Sequence, residues 1–204
     1  MDHMRTSNFP IEPLFLSRWS PRAYDAAVLP EHHLLTILEA GRWAPSAYNI
    51  QPWRFLYARR DDELWPDFLS VLDPFNRRWA ADASALIFVL SDTVMPGDGD
   101  RPDAISHYNS FDAGAAWANI ALQATALGYS AHAMAGLVFS EAPAVLRFPS
   151  RYKLEIGISI GRRAERDRLP ADLRAGETPS DRMPLNRIAF PGRFPVTPET
   201  IAAQ

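Results

Sequence analysis

A-P-S-A-Y-N-I-Q-P-W-R-F, residues 44–55, is the stretch that most constrains the fold. A predicted helix ends at its first proline, Pro45, because the residue before a proline avoids the helical conformation. The polar side chains of Ser46, Asn49 and Gln51 follow in a stiff loop, after which a strand is predicted. Amide side chains on such a loop offer donors and acceptors to the edge of a heterocycle. The same composition is equally typical of an ordinary turn.

On both sides of this loop the hydrophobic pattern alternates between helix and strand. Helices are predicted over residues 30–43, 61–72, 76–82, 110–127 and 140–148. Ser140 is the expected cap of the last helix. Strands are predicted over residues 54–59, 84–91, 130–135 and 152–160. Since no internal repeat or linker interrupts this pattern, we predict one α+β domain over residues 1–204.

Two segments should lie at the centre of this domain. Residues 84–91 are almost continuously apolar, which indicates a strand buried on both faces. The predicted helix 110–127 is rich in alanine, and small side chains on several sides allow close packing. We therefore place this helix in the core or at a dimer interface.

The remaining segments show no clear periodicity. We interpret residues 1–25 as an irregular N-terminal arm, 93–106 as a mobile loop, and 162–204 as an extended, proline-rich tail. A tail of that length must pack on something to be ordered. In a dimer it could embrace the partner subunit.

Composition excludes several classes of function. The chain has 204 residues, a net charge of -3 and no cysteine. Disulfides, thiolate metal sites and a cysteine nucleophile are therefore excluded. The charge argues against a nucleic-acid or membrane-surface partner. The absence of a membrane-length apolar segment and of the apolar core of a secretory signal predicts a cytoplasmic protein.

Several widespread motifs are also missing. The sequence has no G-x-G-x-x-G after a strand, no G-x-x-x-x-G-K-[ST] loop and no G-x-S-x-G elbow. The five histidines form no H-E-x-x-H pattern, so we predict no metal site.

The segment R-W-S-P-R, residues 18–22, is the second unusual cluster. Arg18, Ser20 and Arg22 alternate along an extended segment and should point to one side. Guanidinium groups bind oxyanions in a fork, which suits a phosphate. A solvated basic loop is the alternative.

Together the two clusters resemble the nitroreductase family. The pattern A-P-S-A-x-N-x-Q-P-W-R-F is similar to the signature loop of that family, and R-x-S-x-R at residues 18–22 is similar to its N-terminal flavin-phosphate motif. Further similar segments follow in the same order along nearly the whole chain, at residues 76–79, 127–129, 155–161 and 182–185.

The resemblance implies both a fold and an assembly. The fold would be an α/β sandwich whose central sheet is mixed, mainly antiparallel and flanked by helices. The assembly would be a homodimer with domain-swapped tails, in which FMN lies at the interface and is contacted by both subunits.

The resemblance also implies which residues bind the cofactor. Those facing the phosphate would be Arg18, Ser20 and Arg182. The residue at the pyrimidine end of the flavin would be Arg22, and the one at the ring edge Asn76. The backbone beside flavin N5 would be that of Met134, Ala135 and Gly136. The residues from the neighbouring subunit would be Pro45, Ser46 and Asn49. The implied set is completed by Trp19, Gln51 and Trp79.

The implied activity is hydride transfer from NAD(P)H, by way of flavin N5, to an electron-poor acceptor such as a nitroaromatic or a quinone. The two half-reactions would alternate in a ping-pong cycle. A cation such as Arg22 near flavin N1 and O2 would stabilise the negative charge of the reduced cofactor. No catalytic side chain is assigned.

Three residues depart from the pattern of the family. Trp79 stands where many relatives carry a basic residue, Ala135 where some carry glutamate, and Ser180 where lysine is common. Two alternatives therefore stay open: a flavin-binding or flavin-modifying protein without reductase turnover, and a non-enzymatic module that binds another anionic ligand. Residues 107–111 are expected to form a wall of the acceptor pocket.

Overall fold

The computed structural model describes residues 5–100 and 102–195. The ends of the predicted arm and tail, residues 1–4 and 196–204, lie outside the described residues. The helices are α1 (Pro13–Ser17), α2 (Glu31–Arg42), α3 (Trp65–Val71), α4 (Pro74–Ala80), α5 (Asn109–Ala126), α6 (Ala142–Leu146) and α7 (Ala171–Arg174). The strands are β1 (Trp53–Arg59), β2 (Ala85–Asp92), β3 (Val94–Met95), β4 (Ala104–Ile105), β5 (Ser130–Met134) and β6 (Tyr152–Gly161). Short 3-10 turns form at Ala47–Asn49, Arg166–Arg168 and Leu185–Arg187.

The centre of the fold is a four-stranded sheet in the order β1-β2-β6-β5. Neighbouring strands in it are antiparallel at every pairing. The chain thus forms the α+β sandwich that was predicted. The parallel component of a mixed sheet is not found within the ranges that the structure describes.

Strand β2 is buried at every position, as its apolar sequence predicts. Alternate side chains of a strand point to opposite faces, and here the two faces enter different clusters. Leu86 and Phe88 pack with α3 and α4 residues such as Phe68, whereas Ile87 and Val89 pack with residues of α2 and α5. Both faces of the sheet are therefore covered by helices.

Helix α5 packs against α2 and the sheet through its small residues, which confirms its central place. Ala113, Ala116, Ala121 and Ala124 are all buried. Phe111, by contrast, is 81% exposed at the start of the same helix. Among helices in the described part of the chain, none is long and apolar enough to cross a membrane.

Several predicted boundaries were wrong. The helix expected from residue 61 begins at Trp65, because Asp62 accepts a hydrogen bond from the backbone N–H of Arg59 and forms a turn. Helix α4 begins two residues earlier than predicted, at Pro74, and is capped by Asp73. Ser140 does not cap α6, which begins after Glu141 without a side-chain cap.

Two segments predicted to be irregular contain regular structure. The N-terminal arm includes α1, which begins with Pro13 in its first turn. The predicted mobile loop 93–106 contains the paired strands β3 and β4. In both segments the elements are too short to give a readable hydrophobic period.

The tail divides into two parts. Its first part packs on the same chain, since Leu169, Leu173 and Glu177 are buried. Beyond it, residues 180–189 are exposed. The predicted embrace of a partner by this second part stays a prediction.

Candidate functional site

Residues 18–22, here called the arginine segment, lie beside two further arginines, Arg5 and Arg182. Arg18 Nη1 donates to Ser20 Oγ at 3.3 Å, and Arg5 donates to the Arg18 carbonyl oxygen. Burial lowers the pKa of the Arg18 guanidinium, and the charges of Arg5 and Arg182 lower it further. Arg5, Arg18 and Arg182 therefore form a cluster of positive charge, here called the arginine cluster, in which Asp181 is the acid that acts on Arg5. A cluster with an excess of positive charge favours an anion.

Arg22 turns towards the core instead. Its guanidinium carbon lies 5.9 Å from the centre of the Trp79 ring. Its Nε is buried and has no hydrogen-bond partner among the described residues. A buried donor of this kind costs free energy until an acceptor satisfies it.

Trp79 lies beneath the arginine segment rather than on the surface. It is 1% exposed, and its ring centre lies 4.7 Å from that of His132 and 6.3 Å from that of Tyr24. In this arrangement the Trp79 ring supports Arg22 and does not face solvent. Trp19, also on the arginine segment, is half-buried and lies 6.0 Å from the Arg163 guanidinium carbon.

His132 holds the arginine segment from below. Its Nδ1 lies 3.0 Å from the Pro21 carbonyl oxygen, and since that oxygen can only accept, Nδ1–H donates. Burial lowers the pKa of His132, and the charges of Arg22 and Arg18 act in the same direction. The neutral imidazole is therefore favoured at neutral pH.

Asn76 and Gly136 lie together at the junction of α4 with the end of β5. Asn76 Nδ2 donates to the Gly136 carbonyl oxygen at 3.1 Å, and the same oxygen accepts the Asp73 N–H at 3.1 Å. Asp73 Oδ1 in turn accepts the Asn76 N–H at 2.7 Å. Met134 is buried beside this junction, and Ala135 is exposed.

The substitution Gly136→Ala should destabilise this junction. An added Cβ would stand 2.1 Å from Asp73 Oδ2 and 2.5 Å from Asn76 Nδ2. We expect a loss of about 1–3 kcal/mol in the free energy of unfolding, which is typical of overpacking. Denaturant unfolding measures this loss, with Gly114→Ala as control, since nothing lies within 4 Å of a Cβ at Gly114. Equal stability of the two variants would contradict the prediction.

The loop of residues 45–51 is strained and exposed. Tyr48, Asn49 and Gln51 all have φ between 51° and 55°, a conformation that non-glycine residues rarely adopt. Ser46 Oγ accepts the Gln51 N–H at 3.0 Å and so closes the loop. Pro45 and Asn49 are exposed, and Tyr48 is 84% exposed.

One chain therefore brings only some of the predicted residues together. Arg18, Ser20 and Arg182 share one cluster. Arg22, Trp79, Asn76 and Gly136 are connected through α4 and the end of β5. Within residues 5–100 and 102–195, no hydrogen bond joins the loop of Pro45, Ser46, Asn49 and Gln51 to either group.

Two buried acids accept hydrogen bonds from the backbone of the two motifs. The sequence analysis did not identify either acid. Asp112 Oδ2 accepts the Ala47 N–H at 3.1 Å. Glu177 Oε1 accepts the N–H groups of Arg22 and Ala23, each at 2.8 Å. Neither acid stands in a recognisable motif. Arg5 and His132 were missed for the same reason.

Comparisons with known proteins identify the family of the chain. The model of the nitroreductase family matches residues 16–78, which include both motifs. A crystal structure described as an oxidoreductase containing FMN is 47% identical, with a TM-score of 0.91, and the match covers 95% of this chain and 97% of the other.

Two curated relatives belong to bacteria. The Bacillus subtilis protein named "Putative NAD(P)H nitroreductase YdgI" is 40% identical over 76 residues, which are 37% of this chain and 35% of that protein. The "CLA biosynthesis enone reductase" of Lactiplantibacillus plantarum is 25% identical over 191 residues, covering 78% of this chain and 88% of that protein.

The fold is an α+β fold shared with an oxidoreductase described as containing FMN. The chain belongs to the nitroreductase family.

Proposed function

We propose that this protein is an FMN-dependent oxidoreductase that transfers hydride from NAD(P)H to an electron-poor small molecule. The observation that carries the proposal is the convergence of Arg5, Arg18 and Arg182, which suits a phosphate, with the unpaired Nε of Arg22 nearby. The relative that shares 47% of its sequence is described as containing FMN.

The residues present fit this cofactor. Three guanidinium groups supply charged donors for a phosphate. Arg22, with its buried and unpartnered Nε, supplies a cationic donor for a carbonyl oxygen of the flavin ring. The junction of Asn76 with Gly136 offers a side-chain amide beside the exposed residue Ala135.

Bound FMN would supply the chemistry, by accepting and releasing hydride at N5. The residues of the protein would bind and orient the cofactor and stabilise its reduced form. Arg22 would offset the negative charge that reduction places near N1 and O2. We assign no general base, and we propose that donor and acceptor use the same face in turn, in a ping-pong cycle.

The proposed active form is a homodimer. The exposed loop of residues 45–51 carries motif residues that do not meet the arginine cluster of their own chain, and a partner subunit would bring them to it. Exposed aromatic side chains nearby, such as Trp43 at 72% and Tyr48 at 84%, would be buried by such contacts. The exposed part of the tail would pack on the partner, and we place the dimer in the cytoplasm.

The acceptor belongs to the class of electron-poor molecules. The relatives are named as a nitroreductase and as an enone reductase, and a nitro group and an enone both accept hydride because they withdraw electrons. Nitroaromatics, quinones and enones are therefore the first substrates to assay. The exposed side chains of Tyr108 and Phe111 would line their pocket.

Flavin binding and reduction test the proposal. We expect the purified protein to take up one FMN per chain, to have a dimeric mass, and to lose its flavin absorbance when it is mixed with NADH or NADPH. Reoxidation by a nitroaromatic or quinone completes the cycle. If the protein binds FMN but neither NADH nor NADPH reduces the flavin, the result would favour a flavin-binding protein without reductase turnover. A monomer that takes up no FMN would favour a different anionic ligand and overturn the proposal.

A further inference from the structure

Glu177 is a buried acid outside both sequence motifs. It is 8% exposed, although glutamate is seldom buried unless it is paired. Oε1 accepts two backbone N–H groups, those of Arg22 and Ala23, at 2.8 Å each. Bonds from N–H groups to a carboxylate are among the stronger hydrogen bonds in proteins.

The tail presents Glu177 from a fixed turn. Leu169 and Leu173 anchor α7 in the core, and the Glu177 N–H donates to the Arg174 carbonyl oxygen at 3.2 Å. Arg174 is itself held by bonds to the carbonyl oxygens of Leu169 and Asp167. The carboxylate is therefore positioned by the packing of the tail.

The Glu177 carboxylate lies in the same buried region as the start of the Arg22 side chain, because its Oε1 is bonded to the Arg22 backbone N–H. Burial raises the pKa of the Tyr24 hydroxyl, Glu177 raises it further, and Arg22 lowers it, so both charges act on one phenol. Glu177 Oε2 and Arg22 Nε are both buried without a partner in the described ranges. A buried carboxylate is screened less by water than a carboxylate on the surface would be.

We infer that Glu177 is a positioning residue of the proposed flavin site, which fixes the backbone of Arg22 and offsets part of the Arg22 charge. The inference rests on the proposed function for its effect on FMN. Its effect on the backbone does not depend on any ligand.

Two variants separate these effects. Glu177→Gln keeps an oxygen that can accept the two N–H groups but removes the charge, whereas Glu177→Ala removes both. Glu165→Ala, an exposed acid on the same tail that makes no side-chain cap, is the matched control.

Hydrogen exchange on the protein without FMN is the first measurement. We expect faster exchange at the Arg22 and Ala23 amides in Glu177→Ala, near wild-type exchange in Glu177→Gln, and no change in the control. Wild-type exchange in Glu177→Ala would overturn the inference. If Glu177→Ala does not fold, Glu177→Asp, whose shorter side chain withdraws the carboxylate from these amides, takes its place, and wild-type exchange in Glu177→Asp would overturn the inference.

Titration with FMN and measurement of the flavin midpoint potential follow. We expect Glu177→Ala to bind FMN roughly tenfold more weakly, as the loss of hydrogen bonds to a charged group predicts. Glu177→Gln should bind FMN like the wild type, with a more positive potential, because less of the Arg22 charge is offset. An unchanged potential in Glu177→Gln would overturn the electrostatic part. Failure of the wild type to bind FMN would refute the proposed function and leave the exchange result to decide the role of Glu177.

Discussion

Arg18→Ala weakens FMN binding by roughly 10- to 150-fold, if the phosphate lies where we propose. A hydrogen bond to a charged group contributes about 1.5–3 kcal/mol, and Arg18, like Arg5, is half-buried. Burial lowers the pKa of Arg18, and the charges of Arg5 and Arg182 lower it further, as expected of a cation that lies among like charges. Equilibrium dialysis or fluorescence titration with FMN measures the change.

The control for Arg18→Ala is Arg166→Ala, which removes an exposed arginine from the tail. We expect it to bind FMN with wild-type affinity. Riboflavin, which lacks the phosphate, provides a second comparison, since its affinity should barely differ between Arg18→Ala and the wild type. Unchanged FMN affinity in Arg18→Ala would show that the phosphate is held elsewhere.

Among the variants proposed here, Trp79→Ala should cause the largest loss in the free energy of unfolding. Trp79 is the largest of the fully buried side chains, and replacing a buried tryptophan by alanine costs about 3–5 kcal/mol. The ring also carries contacts to Arg22, Tyr24 and His132, so its removal leaves a cavity directly under the arginine segment. Urea unfolding followed by circular dichroism measures the effect.

Trp79→Phe and Val28→Ala provide the comparison. Phenylalanine retains most of the apolar volume and should cost less than alanine. Val28 is 60% exposed, and its truncation should change stability by no more than about 0.5 kcal/mol. If Trp79→Ala were as stable as Val28→Ala, the packing described beneath the arginine segment would be wrong.

The main elements of the fold could be predicted because their signals are local. The apolar run at residues 84–91 identified β2, and the alanine pattern at 110–127 identified α5. Boundaries were less predictable, because side chains decide them: Asp62 forms a turn before α3, and Asp73 caps α4. Sequence periodicity carries no information about such bonds.

The site was predictable only in part, for a different reason. The motif residues Arg18 and Arg22 stand close together in sequence, but the groups that hold and extend them come from far along the chain. Glu177 lies 155 residues from Arg22, and the pairing of Asn76 with Gly136 spans 60 residues. Contacts at that separation become visible only when the strands and the tail have been placed.

The bonds from Glu177 to Arg22 and Ala23 also set the order in which the molecule can mature. During synthesis the arginine segment leaves the ribosome long before Glu177 has been translated, so these two amides can be bonded by Glu177 only after α7 has emerged. Chains that terminate before α7 would carry both sequence motifs but would lack the Glu177 carboxylate that bonds to the arginine segment.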